Sequence, residues 1–184
     1  MAGSRHRRLD TPTGPFYVRV VEGGPVETGW FAMLDRAGPA ARTLESLGPE
    51  DSSLLAGLCD RILAAMRGEP IDFGDVELAT GTAFQRAVWR ETRAIPPGRT
   101  RSYGDLAEAV GRPGAARAVG QAMRRNPQPI VTPCHRVVGS GGLGGFGGEG
   151  SSGTWPSIKQ RLLEAEGLEL PPRGVEGRRR APIG

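Results

Sequence analysis

Glycine and proline punctuate this chain so often that no element in it can grow long. Of 184 residues, 29 are glycine and 16 are proline. Glycine admits left-handed turns and proline removes a backbone donor, so both interrupt helices and ladders. Short elements joined by long loops are therefore expected. Hydrophobic residues are 38% and aromatics 5%, which leaves a core built mainly on Leu, Val and Ala. The length suits one large or two small domains. No apolar run approaches the roughly 20 residues of a membrane span, and residues 1–8 lack the apolar stretch of a secretory signal. Two cysteines without paired spacing argue against a disulfide framework. They fit a reducing compartment, so a cytoplasmic protein with no membrane partner is expected.

Between the breaks, periodicity names the elements. Residues 1–10 read as a flexible basic lead-in. Residues 16–21 and 26–34 form a hairpin around Glu22-Gly23-Gly24-Pro25. Residues 35–50 read as loop or weak helix. Leu54, Leu55, Leu58, Cys59, Ile62, Leu63 and Met66 recur at helical spacing, closed by Gly68. Cys59 lies on that stripe and reads as core. Residues 68–80 read as a linker. Thr82-Ala83-Phe84-Gln85 is a capping-box pattern opening a helix with Phe84, Ala87, Val88 and Ile95 inward. Pro96-Pro97-Gly98 stops it. Thr154 begins a last helix through Glu166, with Ile158, Leu162 and Leu163 inward and Gly167 at its end. Residues 171–184 read as a flexible tail.

A second capping-box pattern, Ser102-Tyr103-Gly104-Asp105, leads into Leu106, Ala107 and Val110. After Gly111, Pro113 starts another helix through Arg125, with Ala115, Ala116, Val119, Ala122 and Met123 on one face. Arg117, Gln121 and Arg124 recur on the other. Two short helices with a tight turn and an arginine stripe fit a helix-turn-helix. An ordinary helical hairpin with a solvated face fits the same pattern. Gly114, Ala115, Ala116, Ala118 and Gly120 leave the second helix nearly bare, which suits close approach to a DNA groove and also suits tight helix packing.

Charge is distributed unevenly. Residues 1–79 hold eight basic and twelve acidic side chains, residues 80–170 twelve basic and seven acidic, and residues 171–184 four basic and one acidic. Residues 82–140 alone carry ten arginines against Glu91, Asp105 and Glu108. A concentrated basic stretch is the footprint of a polyanion binder, although scattered surface arginines give the same count.

The chemistry points to Pro129-Ile130-Val131-Thr132-Pro133-Cys134-His135-Arg136-Val137-Val138. Proline at 133 sets the direction in which the chain enters Cys134. The flanking β-branched residues predict a buried, roughly extended segment. A lone cysteine in an apolar run is ordinarily an inert core residue. The adjacent His135 and Arg136 raise the alternative of a nucleophile. Neighbours on a strand point to opposite faces, so His135 would act on Cys134 through an intervening water or a local bend.

Together these motifs closely resemble the 6-O-alkylguanine-DNA alkyltransferase family, also called methylated-DNA–protein-cysteine methyltransferases. The resemblance runs from Gly81-Thr82-Ala83-Phe84-Gln85-Arg86-Ala87-Val88-Trp89 through Ile95-Pro96-Pro97-Gly98 and Ser102-Tyr103. It continues over Ala115–Gly120, Arg125-Asn126-Pro127 and Pro133-Cys134-His135-Arg136-Val137 to Leu162–Gly167. It covers about half the chain, in family order and spacing.

The resemblance implies an α+β protein. A ribonuclease-H-like α/β domain with a small antiparallel sheet would occupy 1–79, and a mainly helical, winged-helix-like domain with a helix-turn-helix would occupy 80–170. It implies DNA repair by single-turnover transfer of an alkyl group from 6-O-alkylguanine to a cysteine, with 4-O-alkylthymine as a minor substrate. Cys134 would be the acceptor, His135 its water-bridged base partner and Glu166 the carboxylate orienting that histidine. Asn126 would be the hinge to the helix-turn-helix. Arg117 would enter the base stack, and Tyr103 would assist flipping of the base. Ser102, Ala116, Gln121, Arg124 and Arg125 would meet DNA. Tyr103, Val137, Val138, Phe146, Gly147 and Lys159 would form the substrate pocket. The partner is double-stranded DNA carrying the lesion, bound through the minor groove by a monomer.

No cofactor is expected, because the cysteine itself is consumed. Some relatives hold zinc near the N-terminus, but only His6 and Cys59 precede residue 80 here, so no metal is expected. The glycine-rich loop after Phe146 is several residues longer than the family pattern. Two rival functions are a lesion-binding protein without transfer and a transcription factor that senses alkylation. The first usually lacks the acceptor cysteine; the second usually carries an extra domain for which this chain has no room.

Overall fold

Leu9, Phe16 and Trp30 lie side by side across three strands, and this row fixes the sheet. The computed structural model describes residues 3–34, 44–139, 142–143 and 154–169. Strands β1 (Ser4–Leu9), β2 (Phe16–Val21) and β3 (Glu27–Trp30) form an antiparallel sheet in chain order. Leu9 pairs with Phe16, and Phe16 with Trp30. The rings of Phe16 and Trp30 meet edge to face at 4.8 Å, a favoured aromatic geometry. Thr13 Oγ1 accepts from the Trp30 indole at 3.0 Å.

The basic lead-in is therefore not flexible over residues 4–9. All six residues of β1 pair with β2, and His6 and Leu9 are buried. The arginines are compatible with this because their charges stay at the surface. Arg5 meets Asp51 at 2.9 Å, and the Arg8 guanidinium lies over the Phe31 ring at 5.6 Å. The expected hairpin is present as β2–β3, with Phe31–Met33 adding a 3₁₀ turn.

Helix α1 (Ala56–Met66) is shorter than the periodicity suggested. Asp51 accepts from the backbone and hydroxyl of Ser53, which builds a turn ahead of the helix. Leu55 then takes a left-handed φ of 47° and is 37% exposed, so it leaves the expected apolar stripe. Cys59, Ile62 and Met66 remain buried. Gly68, at φ 86°, follows the helix as expected.

The second half is mainly helical. α2 (Ala83–Arg93) opens on the Thr82 capping box, whose two hydrogen bonds with Gln85 are 3.2 and 2.9 Å. Val88, Trp89 and Thr92 form its buried face, and Ile95 is buried just beyond its end. β4 (Arg101–Ser102) leads into α3 (Tyr103–Ala109), capped by Ser102 and Asp105. α4 (Ala116–Arg124) begins three residues later than Pro113, because Gly114 turns left-handed at φ 86°. The Trp89 indole donates to the Ala122 carbonyl at 3.0 Å and seats α2 on α4. β5 (Val137–Val138) pairs in parallel with β4, and α5 (Thr154–Ala165) packs Ile158, Leu162 and Leu163 inward.

The whole is a mixed α/β fold with a small antiparallel sheet and five described α-helices. Among the described residues no helix is long and apolar enough to cross a membrane. The halves are joined through Thr28 and Gln128. Thr28 donates from its backbone to Pro127 and from its hydroxyl to Pro129, at 2.9 and 2.7 Å. The Gln128 amide donates to the carbonyls of Val26 and Glu77.

Candidate functional site

The segment around Cys134 is buried as expected but is not extended. Pro133 takes φ −78° and ψ 67°, and Cys134–Arg136 form a 3₁₀ turn before β5. Tertiary anchoring overrides the β-preference of the neighbouring residues here. Ile130 occupies the left-handed region at φ 74°, unusual for a β-branched residue and a local strain. The Asn126 amide donates to the Thr132 carbonyl at 2.9 Å, and its oxygen accepts from the Gln128 backbone at 3.0 Å. Arg93 adds a brace, donating to Thr132 Oγ1, Gln128 Oε1 and the Val76 carbonyl. So Asn126 bridges the end of α4 to the cysteine segment, where a hinge was expected.

The local bend brings His135 and Arg136 onto one carboxylate. Glu166 Oε1 lies 2.8 Å from His135 Nε2, and Arg136 reaches the same oxygen at 2.9 Å through its Nη2. Gly98 donates its backbone N–H to the other oxygen at 3.2 Å. Burial opposes the charge on Glu166, but hydrogen bonds and charges from His135 and Arg136 outweigh it and hold its carboxyl down at about 2. An ionised carboxylate only accepts, so His135 Nε2 carries its proton and Nδ1 is left as the basic nitrogen. Burial above all, helped by Arg136 and Lys159, pushes the imidazole below its usual value despite Glu166. His135 is therefore neutral near pH 7 and able to accept a proton.

Cys134 itself is 2% exposed. Burial raises its thiol to about 11, although the Asn126 amide, the Lys159 charge and nearby backbone donors favour the thiolate. At neutral pH it holds its proton, and it makes no direct hydrogen bond to the imidazole among the described residues. Tyr103 stands close enough to feel Cys134. Its phenol is raised to about 12 by burial and then by that neighbour, and its buried hydroxyl has no hydrogen-bond partner among the described residues. Lys159 is 1% exposed and donates to the carbonyls of Val137 and Leu143 at 2.5 and 2.6 Å. Burial lowers its amine to about 8.

The remaining expected residues fall into groups. Val137 is buried beside the turn and Val138 is half-buried. Arg117, Gln121, Arg124 and Arg125 are exposed along and just after α4, with Ala116 half-buried at its start. The Ser102 hydroxyl is engaged as the cap of α3, accepting from Asp105 at 3.0 Å. Phe146 and Gly147 lie outside the described residues, as do most of the glycine-rich loop and residues 171–184. Among the described residues no group of three metal-ligating side chains gathers.

Sequence reasoning gave no role to Arg136, Arg93, Gln128 or Thr28. Arg136 stood inside the motif, but its partner lies 30 residues away. Arg93 and Gln128 carried no local signal beyond polarity in apolar surroundings.

Residues 83–168 match the family described as 6-O-methylguanine DNA methyltransferase, DNA binding domain. Over 167 residues the chain is 41% identical to the methylated-DNA–protein-cysteine methyltransferase of Mycobacterium tuberculosis, an alignment spanning 90% of this chain and 94% of that protein. The Salmonella typhimurium protein of the same name is 52% identical over 87 residues, 47% of this chain and 51% of its own length. The crystal structure of Mycobacterium tuberculosis OGT in complex with DNA superposes with a TM-score of 0.70 at 37% identity, covering 88% of this chain and 92% of that one. The O6-methylguanine-DNA methyltransferase of Pyrococcus kodakaraensis superposes with a TM-score of 0.60 at 26% identity, covering 90% and 99%.

Proposed function

The chain belongs to the methylated-DNA–protein-cysteine methyltransferase family, and on that footing we propose how its own residues carry out the repair. The protein removes an alkyl group from 6-O-alkylguanine in DNA and keeps it. The observation that carries this reading is the turn at Cys134, which sets a buried thiol among a neutral histidine, an ionised glutamate and a tyrosine hydroxyl.

Transfer begins with the thiol proton. At about 11 the thiol of Cys134 does not ionise by itself at neutral pH, so a base must take the proton as the sulfur attacks. Nδ1 of His135 is that base, reached through an intervening water. The resulting imidazolium is held by Glu166 at 2.8 Å. The sulfur forms a bond to the alkyl carbon while the carbon–oxygen bond breaks, and the bonding pair goes to the guanine oxygen. Tyr103, with its buried hydroxyl otherwise unpartnered among the described residues, donates to the departing base. The product is a thioether, which cannot be displaced again, so each chain acts once.

The partner is duplex DNA, approached through the minor groove by α4. Its exposed face is long only at Arg117, Gln121 and Arg124, while Gly120 and Ala116 let the backbone come near. Arg117 fills the space left when the lesion flips out, an event that costs a few kcal/mol of stacking. Arg124 and Arg125 sit at the helix end, where they pair with phosphates. The N-terminal unit to about residue 79 is read as ribonuclease-H-like, and the unit from about residue 80, with its β4–β5 pair, as winged-helix-like. The protein works as a cytoplasmic monomer without a cofactor.

The test is intact mass of the full chain after incubation with duplex DNA carrying 6-O-methylguanine. Each chain should gain one CH₂, located to Cys134 by peptide mapping. An unchanged mass, or label on Cys59, overturns the reading.

A further inference from the structure

Glu166 lies just past the end of α5, where a helix would ordinarily fray. Two left-handed glycines hold it there, one from each half of the chain. Gly68, at φ 86°, closes α1, with its N–H on the Ala65 carbonyl and that of Glu69 on Ala64. This capped helix end is pressed against the last turn of α5. A Cβ on Gly68 would lie 1.9 Å from the Ala165 carbonyl oxygen, 2.6 Å from its carbon and 3.1 Å from the Glu166 nitrogen. Gly98, at φ 71°, stands against the same residue. Its N–H donates to Glu166 Oε2, and a Cβ there would lie 3.1 Å from the Glu166 carbonyl oxygen.

We infer that Gly68 and Gly98 are positioning residues for alkyl transfer, forming a clamp that sets Glu166 at hydrogen-bond distance from His135. This rests on the relay reading of His135 and Glu166 given above. The clamp gives the N-terminal unit a part in the chemistry although it carries none of the reacting atoms. A side chain at Gly68 meets rigid backbone, not the end of a flexible side chain, so α5 must retreat by on the order of 1 Å. A slip of that size at a catalytic group can lower a rate by about a hundredfold.

The experiment measures the single-turnover transfer rate at saturating alkylated duplex, together with DNA affinity, for the full chain. Gly68→Ala should be roughly 10- to 100-fold slower with affinity unchanged. Gly23→Ala is the control for backbone strain: its φ is 73°, and a Cβ there meets nothing within 4 Å. It should lose stability and keep the wild-type rate. Placed on Glu166→Gln, which already breaks the relay, Gly68→Ala should slow transfer no further. If Gly68→Ala does not fold, Gly98→Ala carries the same test with a softer contact and an expected slowing of about threefold. A wild-type rate in the glycine variant, or equal slowing with and without Glu166→Gln, overturns the clamp. A wild-type rate in Glu166→Gln alone overturns the relay and the clamp together, whereas a slow Glu166→Gln beside a normal Gly68→Ala overturns the clamp only.

Discussion

Cys59 and Cys134 are buried almost equally, at 0% and 2% exposure, and burial pushes both thiols above their ordinary value. Their neighbourhoods differ. Cys59 sits on α1 and donates weakly to the Leu54 carbonyl at 3.5 Å, within the apolar core. Cys134 sits at a bend, with the Asn126 amide and the Lys159 charge favouring its thiolate, and with the His135–Glu166 pair beside it. On the proposed mechanism, reactivity in this chain is a matter of where a proton can go. A buried thiol with no base is a small hydrophobe. The same thiol with a neutral imidazole nearby becomes a nucleophile on demand.

The largest test of that contrast is removal of each sulfur in turn. Cys134→Ala should abolish transfer while keeping affinity for alkylated duplex, since none of the residues proposed to meet DNA is touched. Cys59→Ala should transfer at the wild-type rate and lose about 1 kcal/mol of stability through the small cavity it opens. Single-turnover assays and urea unfolding of both variants read this out. Transfer surviving in Cys134→Ala would erase the distinction.

The next test removes the proposed destination of the proton and leaves both sulfurs in place. His135→Ala or Glu166→Gln should slow transfer by roughly 10²- to 10⁴-fold, the usual worth of a positioned base. DNA affinity should hardly change. Glu166→Gln also has a signature in acid. Hydrogen bonds and charge hold the folded carboxyl at about 2 against an ordinary 4.5. Its contribution to stability is thus present above about pH 4.5 and lost as pH falls toward 2. The Gln variant should lack that part of the acid transition, seen by circular dichroism. A rate within twofold of wild type would leave Cys134 no better provided than Cys59.

How much of this was legible in the sequence depended on the range of the interaction. The capping boxes at Thr82 and Ser102 stood out because each is complete within four residues. Gly68 was legible as a helix end for the same reason, but its contact with Ala165 was not, since it joins positions almost a hundred residues apart. β1 was hidden by its arginines, whose charges mask a strand that buries only His6 and Leu9. The extended path expected for Cys134 followed from its β-branched neighbours. The turn instead comes from Pro133 and from anchors at Asn126, Arg93 and Thr28, which no local pattern announces. The pairing of Cys134 with His135 was raised by their adjacency, whereas the roles of Glu166, Asn126, Arg117 and Tyr103 came from family resemblance. Periodicity alone offered only a lone cysteine and an arginine stripe.

The smallest effect is in alkaline stability, and it compares the two thiols directly. Burial raises the folded thiol of Cys134 from 9.0 to about 11. Between those values the unfolded chain gives up its proton and the folded chain keeps it, so stability present below pH 9 is lost as pH rises toward 11. Lys159 acts in the opposite direction. Its folded amine is lowered from 10.5 to about 8, so its contribution is present above about pH 10.5 and lost as pH falls through about 8. Tyr103, raised to about 12, adds its own loss only at higher pH. The wild-type profile is a partial cancellation, and Cys134 must be isolated by difference. Between about pH 8 and about pH 10, Cys134→Ala should lose less stability than wild type, by on the order of 1 kcal/mol. Cys59→Ala should differ from wild type in the same direction, because burial raises that thiol too. Urea unfolding at the two pH values measures both differences. Equal profiles for wild type and Cys134→Ala would mean that burial does not raise the thiol above its ordinary 9.0, so the fold would add nothing to the proton's hold on the sulfur beyond what a free thiol already has.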